Sequence, residues 1–229
     1  MGGSLIVISG PSGVGKGTVV KRLLAEMPDL YISVSVTTRK PRPGEVPGKD
    51  YIFVDDRQFE EMVVNNQLLE WAYVHGHYYG TPKKQVFEKL SEGKTVILEI
   101  DMQGAMQVQR SVDDVVLIFL MPPSIKELAN RLDKRGTEDE EVRKLRVLRS
   151  LQELDYIGDY DFMVLNEDLD VAVQSIKNII NMSKWVVTPG RSRYLITKLK
   201  NGGAIDYEDF DFNKFKEVDI NGGKTNIYR

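Results

Sequence analysis

Five short runs of the chain are apolar at nearly every position: Leu5–Ser9, Ile32–Val36, Thr95–Asp101, Val115–Leu120 and Phe162–Leu165. A strand with one wet face alternates apolar and polar residues, so continuous runs rich in β-branched residues predict strands buried on both faces. Between several of them the period changes. Leu169, Val173, Ile176 and Ile180 recur at intervals of four, three and four, one buried stripe of a helix that ends before Trp185. Ser124-Ile-Lys-Glu127 and Thr137-Glu-Asp-Glu140 carry the Ser/Thr-x-x-Glu pattern in which side chain and backbone cap each other at a helix start. Strands alternating with helices predict an α/β fold, a parallel sheet covered by helices on both sides.

Residues 37–90 break that alternation. Arg39-Lys-Pro-Arg-Pro-Gly44 is a basic, turn-rich stretch, and Tyr51–Val54 and Leu68–Val74 read as strands. Asp55 or Asp56 starts a helix between them, and Gly76 predicts a hairpin turn. This segment reads as a small insertion on the main sheet. Beyond Trp185, Tyr194–Lys200, Asn201-Gly-Gly203 and Ala204–Tyr207 read as a hairpin. Tyr207, Phe210, Phe212 and Phe215 make the rest too aromatic for a solvating tail.

Composition narrows the function. With no cysteine, a disulfide framework, thiolate zinc sites and thiol catalysis are excluded. Lys and Arg number 31 against 34 Asp and Glu, without the basic excess that broad nucleic-acid binding needs. Leu5–Ser9 is far shorter than the ~18 residues of a spanning helix, and Lys16 follows it without a signal-peptide cleavage site. A soluble, cytoplasmic protein that binds neither membrane nor nucleic acid is expected. His75 and His77 stand two apart on a strand, but with no further histidine a metal pair is the lesser reading.

The chemistry begins at the first strand. Gly10-Pro11-Ser12-Gly13-Val14-Gly15-Lys16-Gly17-Thr18 nearly matches the phosphate-binding loop G-x-x-x-x-G-K-[ST]. Its glycines let backbone N–H groups converge on phosphate oxygens at the positive end of the following helix, and Lys16 can reach the β- and γ-phosphates. The departure is Gly17, where a magnesium-binding hydroxyl usually stands; Thr18 supplies one a residue later. Glu99 and Asp101, at the end of an apolar run, are further candidates to face a nucleotide and its Mg²⁺.

Taken with Ser35-Val-Thr-Thr-Arg39-Lys-Pro-Arg42-Pro-Gly-Glu, Gly48-Lys-Asp-Tyr51, Glu70-Trp, Tyr78-Tyr79-Gly-Thr81, Glu99-Ile-Asp101-Met-Gln-Gly104 and Arg131-Leu-Asp-Lys-Arg135-Gly-Thr-Glu, this loop makes the chain resemble guanylate kinases from about Leu5 to Trp185. The resemblance implies phosphoryl transfer from ATP to GMP, and to dGMP, with Mg²⁺. It implies a core over 1–36 and 91–185, a GMP-binding insertion over 37–90 and a helical lid at about 131–150, all within a domain of residues 1–185. Residues 186–229 fall outside it as an extension. By resemblance, Arg39, Arg42, Tyr51 and Tyr79 contact the GMP phosphate, and Ser35, Glu70, Thr81 and Asp101 the guanine. Arg131, Arg135 and Arg146 match lid and catalytic arginines, and Asn166 lies toward the adenine. Thr81 stands where Ser is frequent, and Glu99 where a second Asp is common. A kinase for another nucleoside monophosphate and a non-catalytic module that binds protein partners are the rivals, with monomer and homodimer both open.

Overall fold

A computed structural model describes residues 4–74, 76–133, 148, 150–186 and 189–205. Its centre is a five-stranded, wholly parallel sheet in the order β2-β7-β1-β8-β9, formed by Leu30–Ile32 (β2), Thr95–Glu99 (β7), Leu5–Ser9 (β1), Val115–Met121 (β8) and Phe162–Leu165 (β9). The apolar runs are continuous because alternate residues serve two separate cores. From β1, Ile6 and Ile8 join Val116, Ile118 and Leu120 of β8 on one face, where helices α1 (Lys16–Glu26) and α6 (Leu169–Met182) cover them. Leu5 and Val7 point to the other face with Val96, Leu98, Val115 and Leu117, under α3 (Lys83–Ser91) and α4 (Met102–Ser111). Each fully buried aliphatic side chain of this kind contributes about 1.5–3 kcal/mol.

A second, mixed sheet has the order β4-β3-β6-β5, from Ile52–Phe53 (β4), Val36–Thr37 (β3), His77–Pro82 (β6) and Leu68–Val74 (β5). Helix α2 (Asp56–Val64) packs on it through Phe59, which meets Val36 and Leu68. Of the two expected helix starts, Asp55 is the one that caps α2, in a reciprocal box with Gln58. Similarly, Ser124 Oγ accepts from Glu127 N–H at the start of α5 (Ile125–Asp133). The box expected at Thr137–Glu140 and most of the expected lid lie outside the described residues. Among the described residues no helix is long and apolar enough to cross a membrane.

Two expectations are corrected. The run Ile32–Val36 is not one strand. Ser33 N–H makes a last bond to Ile97 O, Val34 N–H turns to Gln85 Oε1, and Val36 begins β3 of the other sheet. Both halves pair with strands, so apolar continuity concealed a crossing between two layers. The second correction is at the C-terminal side. Residues Pro189–Lys200 form helix α7, not the first strand of a hairpin. Asn201-Gly-Gly ends this helix: Gly202, at φ 78, donates to Leu199 O, and Gly203 to Lys198 O. A glycine in the left-handed region stops a helix as readily as it turns a hairpin, and Pro189 suits a first helical position. α7 docks by burying Tyr194, by an Arg193–Asp113 ion pair and by setting Gly190 against the Asp114 carboxylate.

Candidate active site

The loop after β1 is shaped by three glycines with positive φ, Gly10 at 144°, Gly13 at 85° and Gly15 at 103°. A β-carbon at Gly10 would strike the Leu120 carbonyl oxygen, and one at Gly15 would stand 2.7 Å from Asn166 Nδ2. Both positions therefore need glycine for conformation and for space. Val14 N–H closes the turn on Pro11 O at 3.1 Å. Gly15 is the N-cap of α1, with no side chain capping it. The positive end of the helix thus lies at a glycine-lined opening, an arrangement that binds anions. Lys16 folds over this loop, its Nζ 2.5 Å from Gly10 O and 3.4 Å from Pro11 O.

Arg131 and Asn166 hold the loop from behind. Asn166, almost fully buried, donates through Nδ2 to Val14 O at 2.7 Å. Arg131 donates to Val14 O and to Asn166 O, each at 3.2 Å, while Glu127 accepts from its Nε at 3.0 Å. Arg135 and Arg146 lie outside the described residues.

Across the cleft stands the second sheet. The hairpin β5–β6 brings Glu70 opposite Thr81, and Thr81 Oγ1 donates to Glu70 Oε1 at 2.6 Å. Thr81 thus spends its hydroxyl on Glu70, and the N-cap of α3 is Pro82. Glu70 is 4% exposed. Burial, only partly relieved by the hydrogen bond from Thr81 and reinforced by repulsion from Asp101, raises its carboxyl to about 7. Arg39 is also buried. Its guanidinium pairs with both Glu45 oxygens at 2.8 and 3.0 Å and lies 5.2 Å from the centre of the Tyr51 ring, which meets Tyr79 edge-on. Glu45 also accepts from Arg42 N–H at 2.7 Å, and Arg39 holds its carboxyl below the usual range. Arg42 itself is exposed.

These walls enclose a cleft of about 910 Å³. The structure brings Gly10, Ser12, Gly13, Gly15, Lys16, Gly17, Ser35, Tyr51, Glu70, Tyr79, Glu99 and Asp101 to its lining. Pro11, Val14, Thr18, Arg39, Arg42, Thr81, Arg131 and Asn166 do not line it. Sequence reasoning missed Glu153 and Tyr156, which line the cleft from the segment before β9. Burial raises the Glu153 carboxyl, and Lys16 pulls against that. Residues 150–156 carry no motif, so no local signal marked them. Glu45 was legible only as part of the Arg-Pro-Gly-Glu run; its grip on Arg39 is a tertiary fact.

Of the carboxylates that line the cleft (Glu70, Glu99, Asp101, Glu153 and Asp155), Glu99 and Asp101 are the two expected to face a divalent cation, and carboxylate oxygens are the hard ligands magnesium favours. A β-carbon on Gly17 would stand 3.5 Å from Glu99 Oε1, an ordinary contact distance that places this carboxylate beside the loop. Asp101 spends Oδ1 on the Gly104 N–H as N-cap of α4. Thr18 is exposed. Among the described residues no three acidic or histidine groups converge as a protein-only metal site. This donor set fits an ion held largely by nucleotide phosphates and water.

Residues 2–183 match the family model described as guanylate kinase. The chain belongs to the guanylate kinase family. It is 49% identical over 193 residues to the guanylate kinase of Caldanaerobacter subterraneus subsp. tengcongensis, covering 84% of this chain and 94% of that protein. Against the guanylate kinase of Carboxydothermus hydrogenoformans it is 45% identical over 204 residues, covering 89% and 98%. The crystal structure of guanylate kinase from Anaplasma phagocytophilum superposes with a TM-score of 0.68 at 32% identity, covering 86% of this chain and 95% of that one. Within this guanylate kinase family fold, the phosphate loop on the parallel sheet and Glu70 on the mixed sheet face one shared cleft.

Proposed function

We propose that this chain is a guanylate kinase that transfers the γ-phosphoryl group of ATP to GMP, giving ADP and GDP, and that it also accepts dGMP. The observation that carries this reading is the placement of a buried carboxylate opposite a phosphate loop in one cleft. Guanine offers N1–H and exocyclic N–H donors on one edge, and a carboxylate accepts from both. Adenine presents an acceptor at N1, which Glu70 would repel. Ser35 and Asp101 complete the guanine side, Thr81 acts there through its hydrogen bond to Glu70, and Arg39, Arg42, Tyr51 and Tyr79 take the GMP phosphate.

Phosphoryl transfer between two anionic nucleotides requires cations that offset their repulsion and fix them in line. Lys16 serves the donor phosphates. Arg39 serves the acceptor, prealigned by Glu45 and Tyr51 so that little side-chain freedom is lost on binding. Arg131 and Asn166 act through the loop they brace, beside the adenine side. Glu99 and Asp101, together with the nucleotide phosphates, would hold Mg²⁺, which would supply charge neutralisation for the transferring group. Closure of the 37–90 insertion and of the 131–150 lid, with Arg135 and Arg146, excludes water from the reacting phosphates. The setting is the cytoplasm.

A coupled ADP-release assay over GMP, dGMP, AMP, UMP and CMP tests the reading. GMP, followed by dGMP, is expected to exceed the others in kcat/KM by orders of magnitude; comparable use of AMP overturns it.

The chain shortened after Trp185 should still phosphorylate GMP, because among the described residues the cleft's lining ends at Tyr156. Losing the burial of Tyr194 should lower Tm by about 4–8 °C, from roughly 2 kcal/mol. Calorimetry and kcat/KM on the folded, shortened protein check this; an activity loss of orders of magnitude would place residues 186–229 in the active site.

A further inference from the structure

β5 is an edge strand: β6 pairs with one side, and α4 packs closely against it. An open strand edge leaves backbone N–H and C=O groups without partners. At Trp71, the residue after Glu70, one side chain closes that edge. Gln107 Nε2 donates to Trp71 O at 2.7 Å, and Gln107 Oε1 accepts from Trp71 N–H at 3.2 Å. The carboxamide thus pairs with Trp71 as the peptide of a neighbouring strand would. One turn earlier on α4 is Gly104, which is buried. A β-carbon there would stand 3.0 Å from Glu70 Cδ and closer still to Oε2. α4 itself starts at its cap Asp101, just after β7 of the parallel sheet.

We propose that Gln107 and Gly104 are positioning residues for guanine selection: the first fixes the backbone next to Glu70, and the second leaves the room its carboxylate occupies. The inference rests on the base-reading role proposed for Glu70. Trp71 is 40% exposed, so water could satisfy its backbone groups if Gln107 were removed, at small loss of stability. Water cannot hold the strand at a fixed distance from α4. The helix therefore transmits the geometry of the sheet bearing the phosphate loop to the side chain that reads the base.

Inosine monophosphate distinguishes aim from general support, because it lacks the exocyclic amine and offers Glu70 one donor instead of two. Gln107→Met keeps length and apolar packing but removes both hydrogen bonds. It should lower kcat/KM for GMP about tenfold, chiefly through KM, with a smaller loss for inosine monophosphate and an unchanged KM for ATP. Gly104→Ala, which suits a helix interior, should lower GMP use further while the protein remains folded by circular dichroism. Equal loss for the two nucleotides in Gln107→Met, or no loss, overturns the proposal. If the wild-type protein itself does not prefer GMP over inosine monophosphate, the base-reading role of Glu70 fails and this inference with it. If the wild type prefers GMP and both variants keep that preference undiminished, the positioning role alone fails.

Discussion

Replacing Lys16 with alanine is expected to lower kcat for GMP phosphorylation by at least about 10²–10³-fold while leaving the fold intact. The side chain is half buried and donates to the loop carbonyls of Gly10 and Pro11. Losing these bonds is a small structural change. The catalytic loss is larger because a fixed cation beside a transferring phosphoryl group is felt most strongly in the transition state, where one such contact is worth about 3–4 kcal/mol. Steady-state kinetics at saturating ATP and GMP, alongside circular dichroism and Tm, make the comparison. A folded variant with near wild-type kcat would remove Lys16 from the mechanism.

Glu70→Gln is expected to move function and stability in opposite directions. For function, the amide still accepts one hydrogen bond, but its NH₂ faces a guanine donor. That mismatch in a buried site should weaken GMP use by about 2–4 kcal/mol, with KM for ATP unchanged. For stability, the Glu70 carboxyl ionises at about 7 in the folded chain, against an ordinary value of 4.5. Between these values the folded state holds a proton that the unfolded state has released. Stability therefore falls as pH rises through that window and levels off above about 7. A neutral glutamine escapes this penalty. Without ligand, the variant should be more stable than wild type at pH 8, on the order of 2–3 kcal/mol, and the gap should close toward pH 4. By the same titration, the wild-type KM for GMP should drop about tenfold from pH 6 to pH 8. Denaturant titrations at pH 4, 6 and 8, with and without GMP, test both halves. Equal losses of affinity for ATP and GMP would make Glu70 a structural residue.

The parts legible from sequence were those written in one stretch of chain. The phosphate loop was legible because glycine spacing, Lys16 and the preceding apolar run sit within a dozen residues and specify a turn at a helix start. Asp55 and Ser124 were legible as caps for the same reason. The guanine side was different. Glu70 and Thr81 meet only because two strands fold back on each other, and only family resemblance marked them beforehand. Glu153 and Tyr156 enter the cleft through the path of the chain between helical residues and β9, where composition carries no signal. The two misread elements share a cause. Apolar continuity at Ile32–Val36 and the glycine pair after Lys200 each fit more than one local structure, and packing chose between them.

The sheet order also dictates when the active-site loop can exist during synthesis. β1 is made before both of its neighbours, β7 and β8, with Leu5 in register with both Val96 and Val115. Neither flank of this strand can zip to an adjacent hairpin; each waits for a long loop to close, which slows folding of such topologies. Until β7 and β8 have emerged, this apolar strand stays unpaired, and it is then open to capture by chaperones or to aggregation. The glycine-rich loop at Gly10–Thr18 is therefore a late product of folding, even though its residues are translated before those of β7 and β8.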